Sequence, residues 1–367
     1  MFSFPALSDD IYRFLWDGHL IHKGVNPLSY LPSELIQGPL ADDYLRSLFP
    51  LLNSPEYYTI YPPISQLIYY CATFSEHLTL LQSTFIIKCF IISAELGTIY
   101  LLYKLLRVFK YDPSRLLIYA LNPLIIIELC SNLHFEAIMV FTLLAAILFL
   151  VQRKGIWAGM AFSVSVATKL LPLMFLPALF IWLLERKRVV GFFLSFALFT
   201  ILFFTPFFLS LDVNNFLSSL DLYFQKFEFN ASTYYVVRYL GKIITGYNQI
   251  SIIGPLLSLI AMGLILKRSI SVSALKMKGL IEVFLMSFLT YLFFTTTVHP
   301  WYLSIPIAFS VFYKNYWILV WSLMITLSYC TYANPEFKEN MWLVGIEYLV
   351  VFLVWFYERK KASKQLK

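Results

Sequence analysis

Seven features interrupt an otherwise strongly apolar chain, and six of them carry side chains able to do chemistry. The first is SDDIYRFLWDG, Ser8 to Gly18, followed by GVNPLSYLPSE, Gly24 to Glu34. Adjacent carboxylates at Asp9 and Asp10 point in different directions along any regular backbone. One can serve as general base while its neighbour holds a metal ion or orients an acceptor. Arg13, one helical turn on, can pair with them or with a phosphate. Ser8-Asp9-Asp10 is equally a good helix N-terminus, and spacing alone leaves both readings open.

Glu128, Asn132, His134 and Glu136 form the second group, at the end of a helical hairpin, where a carboxylate and a His two residues apart can share a proton or a ligand. Lys169, in VATKLLPLMFLP, is a cation at an apolar turn that invites an anionic partner such as a lipid phosphate or snorkels to the interface. Lys88 lies early in an apolar run, with Glu95 on about the same face as an alternative partner. Between Phe224 and Gly241, aromatics interleave with Lys226, Glu228 and Arg238, which suits sugar stacking, phosphate binding or a plain aromatic belt. Asn230-Ala231-Ser232 matches a glycosylation sequon, read here as a chance match. His299, Pro300, Trp301 and Tyr302 form HPWY at a hairpin tip. Tyr61-Pro62-Pro63 is a rigid kink with no chemistry assigned.

The elements that position these groups follow from composition. Hydrophobic residues make up 59% of the 367 and charged residues 13%, against about 25% charged in a soluble domain. So few charges cannot cover so apolar a core in water, whereas lipid tolerates an apolar exterior. The expected fold is an all-α polytopic membrane protein. Apolar blocks at 83–106, 116–131, 135–152, 156–168, 171–184, 189–209, 250–266, 280–298, 301–313, 316–332 and 341–357 predict about eleven membrane helices. Several fall short of the ~20 residues of a full span. Residues 1–77 hold eight of the 21 acids and eight prolines, and predict an acidic loop with short amphipathic helices at the interface. Residues 78–357 form the bundle, 210–248 a second large loop, and 358–367 a basic tail. Cys71, Cys89, Cys130 and Cys330 show no CxxC spacing and read as free thiols.

With the carboxyl end in the cytoplasm, alternation puts 19 of the 28 basic residues on the cytoplasmic side, among them Arg186, Lys187, Lys267, Arg268, Lys314 and Lys367. This positive-inside bias accounts for the net charge of +7 without nucleic acid. All seven features then fall on the extracytoplasmic face. The amino terminus falls there too, which a further spanning helix before Met1 would explain; the chain reads as missing that helix.

SDDIYRFLWDGHLIHKGVNP resembles the first outer loop of the GT-C membrane glycosyltransferases, in particular the bacterial polyprenol-phosphate-mannose-dependent mannosyltransferase-like branch, with its pattern S-D-D-x-x-R-Y-x-W-D-G followed by G-x-N-P-Y. Later pieces match in order: Glu128, His134 and Glu136; Lys169 to Pro172; Asn230 and Ser232; and HPWY. Phe14 and Leu28 stand where Tyr is usual, and Glu136 where Asp is more typical. The resemblance implies a GT-C-like fold and inverting transfer of a single hexose, with mannose the expected sugar. The donor is a polyprenyl-phosphate carrier, and the acceptor an extracytoplasmic lipid, glycan or protein. Carried over, Asp9 or Asp10 is the general base. Arg13 and Lys169 serve phosphate binding or site ordering. Trp16, Asp17, Asn26, His134, Glu136, Asn230, Arg238, His299, Trp301 and Tyr302 contribute to substrate binding. No cofactor is assigned with certainty, and a divalent metal ion stays open; it would sit on Asp9 or Asp10. The implied location is the cytoplasmic (inner) membrane, with the site facing outward. Two rivals are a lipid-linked sugar transporter or flippase, whose ionisable residues should gather near the midplane of a repeated unit, and a non-catalytic envelope assembly subunit.

Overall fold

The computed structural model describes residues 4–75, 77–209, 215, 227–272, 274, 276–313, 316–333 and 337–365. Lys226, Lys314 and Lys367 lie outside that set. The principal helices, in chain order, are α1 (Asp10–His22), α2 (Pro63–Ala72), α3 (Leu80–Val108), α4 (Glu136–Val151), α5 (Gly155–Thr168), α6 (Leu176–Leu184), α7 (Val189–Phe208), α8 (Thr233–Thr245), α9 (Ile250–Ile270), α10 (Met277–Phe294), α11 (Tyr316–Met324) and α12 (Met341–Gln365). Among the described residues the sole strand-type pairing is an isolated parallel bridge between Phe229 and Thr297.

Each of the eleven apolar blocks falls on helix. Among the described residues five helices are long and apolar enough to cross a membrane: α3, α7, α9, α10 and α12. A sixth span is supplied by Pro113–Ala120 with Pro123–Ser131, if that pair, bent by 51°, counts as one. Shorter apolar helices cover Glu136–Val151, Gly155–Thr168, Leu171–Leu184 and Tyr316–Thr331. Only 11% of the most apolar window of α7 is buried inside the protein. An apolar helix that exposes so much of itself needs lipid as its outer solvent. The chain is an all-α, polytopic integral membrane protein.

It divides into two compact units. One comprises Met1–Leu101, Ile126–Leu173 and Lys187–Asp221; the other comprises Leu102–Ile125, Met174–Arg186 and Leu222–Lys367.

In the first unit α1 is buried on every face: Ile11, Phe14, Leu15, Trp16 and Leu20 sit beside Arg13, Asp17 and His19. The acidic amino-terminal region therefore contains a core helix, not only amphipathic helices lying on an interface. Gly18 explains how α1 seats on α2, since a Cβ there would lie 2.4 Å from the Tyr69 carbonyl oxygen. Gly159 plays the same part between α5 and α7, where a Cβ would meet the Phe192 carbonyl oxygen at 2.3 Å. Small residues let helix backbones approach in this way. The loop after α1 is pinned by Asp42, which accepts from the Leu45 N–H at 2.9 Å and pairs with Lys23 at 2.5 Å and His19 at 2.7 Å. Burial works against the charged carboxylate, but these three partners outweigh it and hold Asp42 well below the usual carboxylate range.

In the second unit Phe175, Phe284, Phe288 and Phe309 form one aromatic cluster. Phe293 stacks on Trp317, Trp321 and Phe352 in another. Helix α8 exposes Val236, Tyr239, Leu240, Ile243 and Ile244. Their helical spacing makes one apolar face, as an interfacial helix requires. Cys71, Cys89, Cys130 and Cys330 are all free thiols.

Candidate active site

The first unit brings together the amino-terminal acids, the Glu128–Glu136 segment and Lys169. Asp10 opens α1, its backbone N–H donating to Ser8 Oγ at 3.3 Å and its Oδ1 accepting from Asn53 Nδ2 at 3.2 Å. Asp9 precedes the helix, is exposed, and makes no side-chain cap hydrogen bond. Ser8-Asp9-Asp10 does form the helix N-terminus, with Ser8 rather than Asp9 accepting a backbone N–H.

Residues 126–131 form a π-helical turn, and the chain then reverses through Leu133 at φ 67°. Left-handed backbone is strained for leucine, and both features concentrate at functional sites. The reversal is tied to the amino-terminal segment: Asn132 Oδ1 accepts the Leu7 N–H at 3.3 Å, and Asn132 Nδ2 donates to Glu128 Oε1 at 3.1 Å. His134 Nε2 lies 3.1 Å from Glu128 Oε2. Glu136, the first residue of α4, accepts from Lys169 Nζ at 2.5 Å. The expected sharing between His134 and Glu136 is replaced by two separate pairs, because Glu136 already belongs to α4 while His134 precedes it. Burial lowers the His134 imidazole to about 4; the charges of Glu136 and Asp10 pull it upward and Lys169 pushes it down. His134 is therefore neutral near pH 7, and a neutral imidazole can accept a hydrogen bond at one ring nitrogen.

Arg13, Trp16, Asp17 and Asn26 sit inside the packing of this unit. Arg13 Nε donates to Asp17 Oδ1 at 2.9 Å, and Arg13 Nη1 donates to the Tyr57 carbonyl at 2.9 Å. Asp17 Oδ2 also accepts from Thr59 Oγ1 at 2.5 Å and Gln66 Nε2 at 2.9 Å, so both its oxygens are engaged. Trp16 is 1% exposed beside Phe49. Asn26 caps the 3-10 turn Pro27–Ser29 and donates to the Phe207 carbonyl at 2.8 Å. Lys88 is fully buried on α3.

In the second unit Asn230 adopts φ 46° and is fully buried. Its N–H donates to Glu339 Oε1 at 2.6 Å and its Nδ2 to Glu347 Oε1 at 3.1 Å; Tyr348 donates to its carbonyl at 2.7 Å. An amide so committed does not accept a glycan, which agrees with reading the sequon as chance. Glu347 Oε1 also accepts from Trp321 Nε1 at 2.9 Å. Arg238 pairs with Glu228 and lies over the Tyr235 ring, whose hydroxyl donates to Glu339. Burial raises Glu339 above the ordinary carboxylate range. His299 stacks on Trp301 at 4.4 Å and on Phe229 at 5.0 Å, with Tyr302 edge-on. HPWY thus contributes an aromatic stack. Arg238 and Lys242 flank an open depression of about 550 Å³ with Glu228, Tyr239 and Asn248.

Among the described residues no three His, Cys, Asp or Glu side chains gather to hold a metal ion. The sequence reading passed over Glu339, Glu347 and Tyr69. Glu347 had a legible signal, a carboxylate inside an apolar span. Tyr69 had none, being one tyrosine among 25.

Residues 1–185 match the family model for the alpha-(1->6)-mannopyranosyltransferase N-terminal domain. No curated protein matches the chain. The family match spans half of the sequence and covers Asp10, His134, Glu136 and Lys169. The chain belongs to the alpha-(1->6)-mannopyranosyltransferase family and is a membrane-embedded mannosyltransferase.

Proposed function

We propose that the protein transfers one mannose, with inversion, from a polyprenyl-phosphate carrier to an acceptor hydroxyl on the extracytoplasmic face of the cytoplasmic membrane. Asp10 is the general base. The observation that supports this most is the joining of Asp10, His134, Glu136 and Lys169 in one unit from distant stretches of sequence, inside a mannosyltransferase family match.

The acceptor oxygen attacks C1 of the sugar from the face opposite the lipid phosphate. Its proton passes to Asp10, and the bond from C1 to the phosphate oxygen breaks with its electron pair on the leaving polyprenyl phosphate. Lys169 suits that leaving group. Its ammonium has three protons, Glu136 accepts one, and the side chain remains 21% exposed. Charge developing on the phosphate thus meets a cation already held in place. Arg13, Trp16, Asp17 and Asn26 act by fixing the loop that carries Asp10. In the second unit Asn230, Arg238, His299, Trp301 and Tyr302 order the 228–240 and 295–303 segments.

The test supplies membranes carrying the protein with polyprenyl-phosphate-linked mannose and glucose in turn. The expected result is a mannosylated product from the first donor, with the anomeric configuration inverted. Transfer from nucleotide-linked mannose with none from either lipid donor would overturn the proposal.

A further inference from the structure

Helices α9, α10, α11 and α12 of the second unit enclose a groove of about 190 Å³. Leu264 comes from α9, Thr290 and Phe293 from α10, Trp317 from α11, and Phe352 and Trp355 from α12. Three of these helices, α9, α10 and α12, are long and apolar enough to cross the membrane, so lipid surrounds the groove. Leu264 is exposed, and Phe352 and Trp355 are half-buried, so the groove opens outward. Its rings form a continuous wall: Phe293 stacks on Phe352 at 5.4 Å and on Trp317 at 6.3 Å, and Phe352 meets Trp355 edge-on at 6.4 Å. The Thr290 hydroxyl donates to the Met286 carbonyl at 2.8 Å. Such a wall suits hydrocarbon and not water, which needs two to four polar partners at each position. A void against it would forfeit dispersion contacts along the whole lining. At about 30 Å³ for a group of a water's size, the groove takes about six methylene-sized groups.

A cation stands beside the groove. Arg359 lies one helical turn beyond Trp355 on α12, is exposed, and sets its guanidinium over the Trp355 ring at 4.9 Å from the centroid. The acid next to it, Glu358, faces the backbone N–H groups of Tyr316 and Trp317 at the start of α11. A guanidinium steadied by an indole still presents its N–H fork to a phosphate. Chain packing alone does not choose between lipids, because every lipid chain leaves equally apolar surroundings. The cation does choose, by the charge of the headgroup. We propose that the groove binds an anionic phospholipid, with one acyl chain against Phe293, Trp317, Phe352 and Trp355 and the headgroup phosphate on Arg359. The site does not rest on the sugar-transfer reading, and its test needs no activity.

The experiment uses the full chain in detergent and three probes, each with a photoactivatable group on its chain: phosphatidylglycerol, phosphatidylcholine and polyprenyl phosphate. Crosslinked residues are mapped by mass spectrometry. Wild type should crosslink phosphatidylglycerol within 286–294 and 351–355 at least about fivefold more than phosphatidylcholine, the factor one cation is worth toward an anionic headgroup. Arg359→Gln should bring phosphatidylglycerol down to the phosphatidylcholine level. Lys361→Gln removes the same charge from the opposite side of α12 and should stay within about twofold of wild type. Leu264→Trp fills the groove and should cut labelling at those residues by about tenfold. Leu259→Trp, at an exposed position of α9 outside the groove, should leave it unchanged. Thermal unfolding checks each variant, and the comparison of Arg359→Gln with Lys361→Gln decides the matter should Leu264→Trp not fold. Equal labelling by the two phospholipids, equal losses in the two charge variants, or crosslinks that avoid the groove would each sink the inference. Stronger labelling by polyprenyl phosphate than by phosphatidylglycerol would also overturn it, and would give the groove to an isoprenoid chain.

Discussion

Asp9 and Asp10 are neighbours in sequence with different surroundings. Asp9 is exposed and uncapped, while Asp10 is half-buried, receives Asn53, and lies within reach of the His134 and Tyr69 fields. A general base contributes roughly 10²–10⁴-fold in rate, about 3–5 kcal/mol of barrier. Asp10→Asn should reduce mannosyl transfer by about that factor with little change in thermal stability, because Asn keeps the shape and can still accept from Asn53. Asp9→Asn should stay within a few fold of wild type. Steady-state transfer and unfolding curves check both, and full activity in the double variant would remove Asp from the base role. The acids, Lys169 and His134 were legible in the sequence because ionisable groups are scarce in so apolar a chain. Their partners were not. That His134 meets Glu128 and Lys169 meets Glu136 depends on a π-helical turn and a strained Leu133, neither of which leaves a pattern in spacing.

At the scale of elements, the closest approach that builds the site is α1 against α2. The two helices carry Asp10 and Tyr69, and they meet where Gly18 leaves room for the Tyr69 carbonyl. A methyl group at Gly18 would sit 2.4 Å from that oxygen and 2.6 Å from Thr73 Oγ1, and the nearer obstacle is backbone. Overpacking of this kind costs about 1–3 kcal/mol. Gly18→Ala should therefore lower the unfolding temperature and also depress transfer, since α2 must shift away from Asp10. Gly263→Ala is the control: nothing lies within 4 Å of its Cβ position, and a helix-interior alanine should be neutral or mildly stabilising. Equal behaviour of the two variants would show that the α1–α2 approach is not tight. Helix placement along the apolar blocks was legible because lipid imposes a long, continuous signal. The buried state of α1 was not. Arg13 and Asp17 were expected to meet a phosphate or the substrate, and only the folded unit shows them, with His19, matched by partners inside the protein.

For the whole molecule, charge asymmetry is the feature expected to orient the bundle. Basic residues stand at helix ends, among them Arg186, Lys187 and Arg188 before α7 and Lys267 and Arg268 at the end of α9. The acidic residues of the amino-terminal region fall on the opposite side if the helices alternate. Retention of Lys and Arg in the cytoplasm sets topology in proportion to such bias. It also decides whether Asp10 can meet a carrier whose sugar faces outward. The bent pair Pro113–Ala120 with Pro123–Ser131 makes this a real test, because a re-entrant pair would leave the alternation one crossing short. If the pair crosses, positions 187 and 267 share the cytoplasmic side and Asn53 lies outside. In a background with Cys71, Cys89, Cys130 and Cys330 replaced, Lys187→Cys and Lys267→Cys should resist a membrane-impermeant thiol reagent in intact cells and react once the membrane is opened. Asn53→Cys should react in intact cells. Should Lys187→Cys and Asn53→Cys label from the same side, the alternation between them is a crossing short; should Asn53→Cys resist the reagent in intact cells, the outward placement of the Asp10 site fails.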